Sequence, residues 1–238
     1  MSKVIIKECS KYEVKRIIDA INQGMDLLGG WDLLLKPALK TSSGPLKVLL
    51  KPNLISPRSP DSAAITHPEI LRALIRILKE RGCEVWIGDS TGGAIAGSAP
   101  TARALKVSGY EGVAAEEGAL IKNFDREGVV EVNKMFIAKP MFDADVVINV
   151  PKLKTHSMTM YTGAVKNLYG CIPGLKKAEY HKAAPNPLDF GKVIAQIHLA
   201  TRVNLHIMDG IVAMEGEGPT GGDPYPTGKI LISQDPLA

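Results

Sequence analysis

Cysteine is scarce in this chain. Its 238 residues hold three, Cys9, Cys83 and Cys171, an odd number at wide spacing. No disulfide framework can be written from them, so a reducing compartment, the cytoplasm, is the expectation. No C-x₂-C run is present, which excludes an iron–sulfur cluster within this chain, and the five histidines at 67, 156, 181, 198 and 206 lack zinc-site spacing. Aromatic residues make up 5% and no long block of Lys or Arg occurs, which argues against a nucleic-acid binder despite a formal charge of +4. No apolar stretch approaches the roughly 20 residues of a membrane helix, and the N-terminus lacks the apolar core of an export signal. Neither membrane nor export is therefore expected. The phosphate-loop pattern G-x-x-x-x-G-K-[ST], a G-x-G-x-x-G after a strand and a G-x-S-x-G elbow are all missing. Those absences disfavour P-loop hydrolysis, ordinary dinucleotide binding and the common esterase scheme.

Apolar residues are plentiful at 45%, enough to bury a full core, and their periodicity supplies the elements. Val4 to Lys7 reads as a strand. Ser10 with Glu13 reads as a capping box for a helix whose Val14, Ile17, Ile18, Ile21, Met25 and Leu28 form one stripe, closed by Gly29-Gly30. Val48-Leu49-Leu50 is a strand stopped by Pro52. Thr66 and Glu69 form a second capping box, with Pro68 in the first turn, for a helix through Leu78, and Cys83 to Ile87 is the next strand. Strand, helix and strand in that order make a βαβ unit with parallel strands. Pro100 to Val107 reads as a helix and Ala114 to Val132 as short strands and turns with an antiparallel excursion. Asn186-Pro187 with Asp189 opens another helix, and Asn204 to Met208 is the strand after it. The expected fold is α/β, a mostly parallel or mixed sheet flanked by helices on both faces, in a single domain over residues 1–238. Asp235-Pro236 would open a further helix, so the C-terminal portion of that domain is expected to be missing.

The densest chemistry lies between Pro151 and Lys182, where six lysines and two histidines accompany one acid. Ala144 to Val150 reads as a buried strand, so the lysines after it leave a strand end, the edge at which open α/β sheets bind ligands. Loops after other strands carry Lys51 and Asn53, then Asp89, Ser90 and Thr91, then Asp209, Glu215 and Glu217. Parallel strands end on one side, so these clusters are expected to converge there. They point to an anionic small molecule, a phosphate or a carboxylate. Its expected ligands are Lys51, Asn53, Ser90, Lys152, Lys154, Thr155 and Asn167, with His156, Lys166 and Asp89 as catalytic groups. Lysines supply point charges, hydroxyls such as Thr162 supply donors, and Gly163 permits close backbone approach. His156, with an ordinary pKa of about 6.5, suits proton transfer. Asp89, Asp209 and Glu215 are hard oxygen donors of the kind that hold a divalent metal such as magnesium. Lys166 to Gly174 reads either as a mobile lid over the anion or as a plain surface loop, and Cys171 as a buried structural thiol. The alternative function is a non-catalytic docking module whose lysine-rich segment meets the acidic surface of a ferredoxin-like partner.

Six ordered blocks carry a family resemblance. They are Lys51-Pro52-Asn53, His67-Pro68, Gly88-Asp89-Ser90, Pro151-Lys152-Leu153-Lys154-Thr155-His156, Lys166-Asn167-Leu168-Tyr169-Gly170, and Asp209-Gly210-Ile211 with Met214-Glu215-Gly216-Glu217-Gly218-Pro219. From Val48 onward the chain resembles the family catalogued as domain of unknown function 362. The resemblance implies the α/β fold and a domain that continues past an Asp-Pro such as Asp235-Pro236. Some members carry [4Fe–4S] ferredoxin-like modules after this domain, which implies a redox link through an iron–sulfur partner or fused module. A shorter stretch, with Lys166, Pro173-Gly174 and His181 in that order, is similar to nickel-pincer lactate racemases and implies shared ancestry and a racemase-like reaction.

Overall fold

The run Val48-Leu49-Leu50 is buried on both of its sides, and that burial decides the architecture. Successive side chains of a strand point to opposite faces, so a strand apolar at every position needs cover above and below. In the computed structural model, which describes residues 2–39, 44–91, 101–174 and 176–238, both covers are present. Among the described residues the elements run in chain order as β1 (Ile5–Glu8), α1 (Val14–Leu28), α2 (Trp31–Leu39), β2 (Lys47–Pro52), α3 (Pro68–Lys79), β3 (Glu84–Asp89), α4 (Thr101–Val107) and α5 (Tyr110–Glu117). Then follow β4 (Leu120–Asn123), β5 (Val129–Val132), β6 (Met135–Ala138), α6 (Pro140–Asp143), β7 (Val146–Val150), β8 (Lys152–His156), β9 (Met160–Thr162) and α7 (Ala164–Asn167). The last are α8 (Lys176–Ala183), α9 (Pro187–Ala200), β10 (Leu205–Glu215), β11 (Asp223–Tyr225) and β12 (Lys229–Ser233).

Ten of the strands form one mixed sheet in the order β1-β12-β10-β7-β2-β3-β4, with β8, β9 and β11 attached beyond it. From β10 to β4 the neighbours are parallel, and β12 and β1 close one edge antiparallel. Val48, Leu50, Val85, Ile87 and Ile148 face a core filled by α1 and α3, through residues such as Ile17 and Leu74. Leu49, Trp86 and Val147 face the opposite core, filled by Phe124, Ile137 and, from α9, Phe190 and Ile197. This is the α/β sheet with helices on both faces that the apolar pattern predicts. The topology also marks a place. From β2 the chain crosses through α3 to β3 and onward to β4, whereas β7 leads through α9 to β10 on the other side, so the winding reverses between β2 and β7. In open α/β sheets the crevice at the carboxyl ends of the strands flanking such a reversal is where ligands bind.

Several expected details differ. Neither capping box forms: the N-cap position of α1 is Glu13, which makes no side-chain capping bond, and α3 is capped by His67, whose Nδ1 accepts from Glu69 N at 3.2 Å. Thr66 instead donates to Val150 O at 2.6 Å and accepts from Asn53 N at 2.8 Å, stitching β7 to the end of β2. The expected strands and turns after Ala114 are preceded by the end of α5, β4 joins the main sheet in parallel, and only β5 and β6 form the antiparallel pair. β10 runs on to Glu215, so Asp209-Gly210 lies within a strand and not in a loop. Pro100, the expected start of α4, lies outside the described residues. The segment expected as a lid or surface loop is neither, because Leu168, Tyr169, Cys171 and Ile172 are buried in the second core.

Candidate functional site

A cavity of about 240 Å³ opens at the carboxyl ends of β2 and β3, beside the reversal. Lys51 and Asn53 reach it from β2 and the turn after it, and Asp89 and Ser90 from β3. The loop-like sequence after Val150 folds differently from expectation, continuing past Pro151 as β8, which pairs with β10 and turns back through β9. That hairpin lifts Lys154 and His156 over the rim, while α7 brings Lys166 and Asn167, and α8 brings Lys177 and His181.

Asp89 is the one carboxylate lining the cavity among the described residues, and it is already engaged. Its Oδ1 lies 3.0 Å from Lys51 Nζ and accepts from Ser90 N at 2.8 Å, while Oδ2 accepts from Leu54 N at 3.0 Å. Burial pushes this carboxyl up, and Lys51 and Lys177 pull against that push. Gly170 packs directly on the pair, leaving no room for a Cβ, which would strike Asp89 Oδ1. Ser90 Oγ donates to Gly170 O at 2.8 Å and so holds that segment down.

The remaining cations have no carboxylate. Lys177 Nζ donates to Ser90 O, Ser90 Oγ and Thr91 O at 2.7, 2.8 and 2.7 Å. Lys154 Nζ donates to Ala64 O and, at 3.3 Å, to Pro219 O. Lys166 has no hydrogen-bond or ion-pair partner among the described residues. Burial lowers all three, Lys154 to about 7, Lys166 to about 8 and Lys177 to about 8, with Lys166 and Lys152 adding repulsion at Lys154. His156 is lowered to about 4 by burial and then by Lys166 and Lys154, so its ring is neutral near pH 7. Its Nδ1 accepts from Met158 N at 3.1 Å, which leaves the ring hydrogen on Nε2. Two buried polar atoms of the lining, Thr162 Oγ1 and Asn53 Oδ1, have no partner among the described residues. Asn53 is itself held by its Nδ2, which donates to Asn167 Oδ1 at 2.9 Å.

Of the twelve residues expected as ligands, catalytic groups or metal donors, Lys51, Asn53, Asp89, Ser90, Lys154, His156, Lys166 and Asn167 converge. Four do not. Lys152 turns away to Asp209 Oδ2 at 2.8 Å and Tyr12 OH at 2.9 Å. Asp209 is consumed there, accepting also from Tyr12 OH and His67 N, each at 2.9 Å. Thr155 points to the other face of β8, against Gly218. Glu215 ends β10 in solvent. Asp89 and Asp209 are separated by three strand spacings, about 14 Å. The three expected metal carboxylates therefore share no centre, and among the described residues no group of three or more His, Cys, Asp or Glu is placed to hold an ion. Sequence reading passed over Lys177 as a binding group, because nothing separates it from the exposed Lys176 beside it. It also passed over Tyr12, whose ring stacks on His67 at 3.6 Å and which no motif marks. Cys171 is buried as expected, and its thiol is pushed up to about 12, which makes it inert.

The family model described as "Domain of unknown function (DUF362)" matches residues 48–238. A curated relative, the thylakoid-associated protein sll1697 of Synechocystis sp. (strain ATCC 27184 / PCC 6803 / Kazusa), is 33% identical over 246 residues, covering 100% of this chain and 72% of the relative. Among solved structures, the lactate racemase apoprotein from Thermoanaerobacterium thermosaccharolyticum superposes with a TM-score of 0.54 at 14% identity, over 98% of this chain and 54% of that one. The present chain thus spans about half of that structure, and the likeness is one of fold. No described helix is long and apolar enough to cross a membrane.

Proposed function

The chain belongs to the domain of unknown function 362 family, and from that premise we propose that it is an enzyme domain binding an anionic small molecule, a phosphate or carboxylate, in the lysine cavity. One observation carries the reading: Lys154, Lys166 and Lys177 border one small cavity whose only carboxylate among the described residues is already paired with Lys51. Charges held out of water without a counter-ion are costly, and a bound anion supplies the missing charge.

The roles follow from the geometry. Lys166, without a partner among the described residues, meets the anion, and Thr162 Oγ1 and the Nε2–H of His156 donate to it. Lys177 orders the rim by gathering Ser90 and Thr91. Asp89 anchors Lys51 and the chain at Leu54. Proton transfer, expected at His156, fits Lys154 better. A neutral imidazole whose Nδ1 is occupied cannot take a proton beside two lysines, whereas an amine with a pKa of about 7 exchanges one readily. Docking of an acidic ferredoxin-like partner would call for lysines on an exposed face, and Lys51, Lys152, Lys154 and Lys177 are buried. The test is titration calorimetry with inorganic phosphate at pH 7. Lys166→Ala is expected to weaken binding about tenfold or more, a loss of about 1.4 kcal/mol. Equal affinity in the variant and the wild type would refute the assignment.

A further inference from the structure

Lys166 borders a second cavity, of about 510 Å³, walled by β10, β12, α9 and the end of the chain. The walls are mostly apolar, with Tyr161, Ile194, Met208, Leu231 and Ile232 prominent. Two buried polar side chains interrupt them: Ser233, which donates to Lys3 O and accepts from Asp235 N, and His206 of β10, at 4% exposure, whose Nε2 has no partner among the described residues.

The tautomer of that ring is fixed from the other cavity by a line of side-chain amides. Asn53 Nδ2 donates to Asn167 Oδ1 at 2.9 Å, Asn167 Nδ2 to Asn149 Oδ1 at 2.7 Å, and Asn149 Nδ2 lies 3.0 Å from His206 Nδ1. Backbone carbonyls set the direction of the line. Pro52 O takes a hydrogen from Asn167 Nδ2 at 3.1 Å, and Ala164 O one from Asn149 Nδ2 at 2.8 Å, so neither amide can be turned round without losing a buried bond. An amide nitrogen only donates, so His206 Nδ1 must accept. The ring hydrogen therefore sits on Nε2, a buried donor that no acceptor among the described residues engages. Buried donors are normally satisfied, so an orphan one asks for an acceptor. Lys166 adds a cation at the same chamber.

We infer that this chamber binds a monocarboxylate with an apolar body, its oxygens on His206 Nε2–H and Lys166 and its hydrocarbon against Ile194, Met208 and Leu231. The site shares Lys166 with the lysine cavity, but it is carried by His206 and the apolar walls and does not depend on the function proposed for that cavity. The volume falls in the range of small-molecule sites. The carboxylate of the lining, Asp235, already accepts from Ser2 Oγ and Leu237 N, so the groups left without partners, His206 Nε2–H and Lys166, are both donors and favour an anion over an ammonium.

Calorimetry with octanoate, octylamine and a hexanoate-to-decanoate series tests this. Octanoate is expected to bind and octylamine not to, with affinity rising up to about fourfold per methylene until the chamber is full. Ala195→Trp, at an exposed position of α9 that borders the chamber, is expected to cut octanoate affinity at least tenfold while leaving inorganic phosphate binding unchanged. His206→Phe, which keeps the bulk and removes one of the two donors, is expected to reduce the preference for octanoate over octanol several-fold, with circular dichroism confirming the fold. No octanoate binding, equal binding of octylamine, or an Ala195→Trp variant that binds octanoate like the wild type would each overturn the inference. Because phosphate is measured on the same samples, failure here is distinguishable from failure of the lysine cavity.

Discussion

Lys152 and Lys154 stand two residues apart on β8, both buried, and meet opposite surroundings. Lys152 finds Asp209 and Tyr12, while Lys154 finds only carbonyl oxygens. The difference gives the two lysines different work. Asp209→Ala would leave the Lys152 ammonium buried without its counter-charge, and a destabilisation of about 3–5 kcal/mol is expected in urea unfolding. Glu215→Gln, at the solvent end of the same strand, is expected to stay within about 0.5 kcal/mol. A comparable loss for both would mean that the two carboxylates act together after all. Nothing in the sequence distinguishes the lysines, since each follows the same buried strand and carries the same charge. His156 shows the same limit in reverse: its ordinary pKa invites proton transfer, but burial and then the nearby Lys166 and Lys154 lower it to about 4.

The elements around the cavity owe their fit to small contacts that link distant segments. The turn after α7 carries Gly170 onto the Lys51–Asp89 pair, and a methyl group there has no free space. Gly170→Ala is expected to destabilise by about 1–3 kcal/mol and to weaken phosphate binding by displacing the pair. Gly191, within α9, faces open space where a Cβ would stand. Gly191→Ala is expected to be neutral or to stabilise by about 0.5–1 kcal/mol, so thermal melts of the two variants should move in opposite directions. Most elements were legible beforehand, because an apolar stripe or a stop at Pro52 acts within a few residues. α5 was not legible, and the length of β10 was not either. Val212 to Met214 continue β10 past Gly210 because β11 and β8 pair with it there, an interaction no local pattern announces.

Taken as a molecule, the chain accepts three poorly neutralised cations at one rim of its sheet, and that has a pH signature. Lys154, Lys166 and Lys177 hold protons less tightly folded, at about 7, 8 and 8, than unfolded, at about 10.4. Above the folded values the unfolded chain binds more protons, so stability rises with pH; below them both states are charged and the burden is constant. The urea midpoint is therefore expected to climb from about pH 6 to about pH 8.5. Saturating phosphate, which favours the charged lysines, is expected to stabilise most at the acid end and flatten the climb. A midpoint that falls over this range would mean that the lysines carry counter-charges. By itself the sequence determined that there is a βαβ sheet covered on both faces, with polar clusters at its carboxyl rim, because apolar periodicity and strand ends are local properties. Only the tertiary structure decided which of those clusters meet. Lys152 and Asp209 lie 57 residues apart and pair because β8 runs beside β10, whereas Lys166, carried to the cavity by α7, meets no partner among the described residues. Charge neutralisation depends on distances across strands, and those exist only once the sheet has formed.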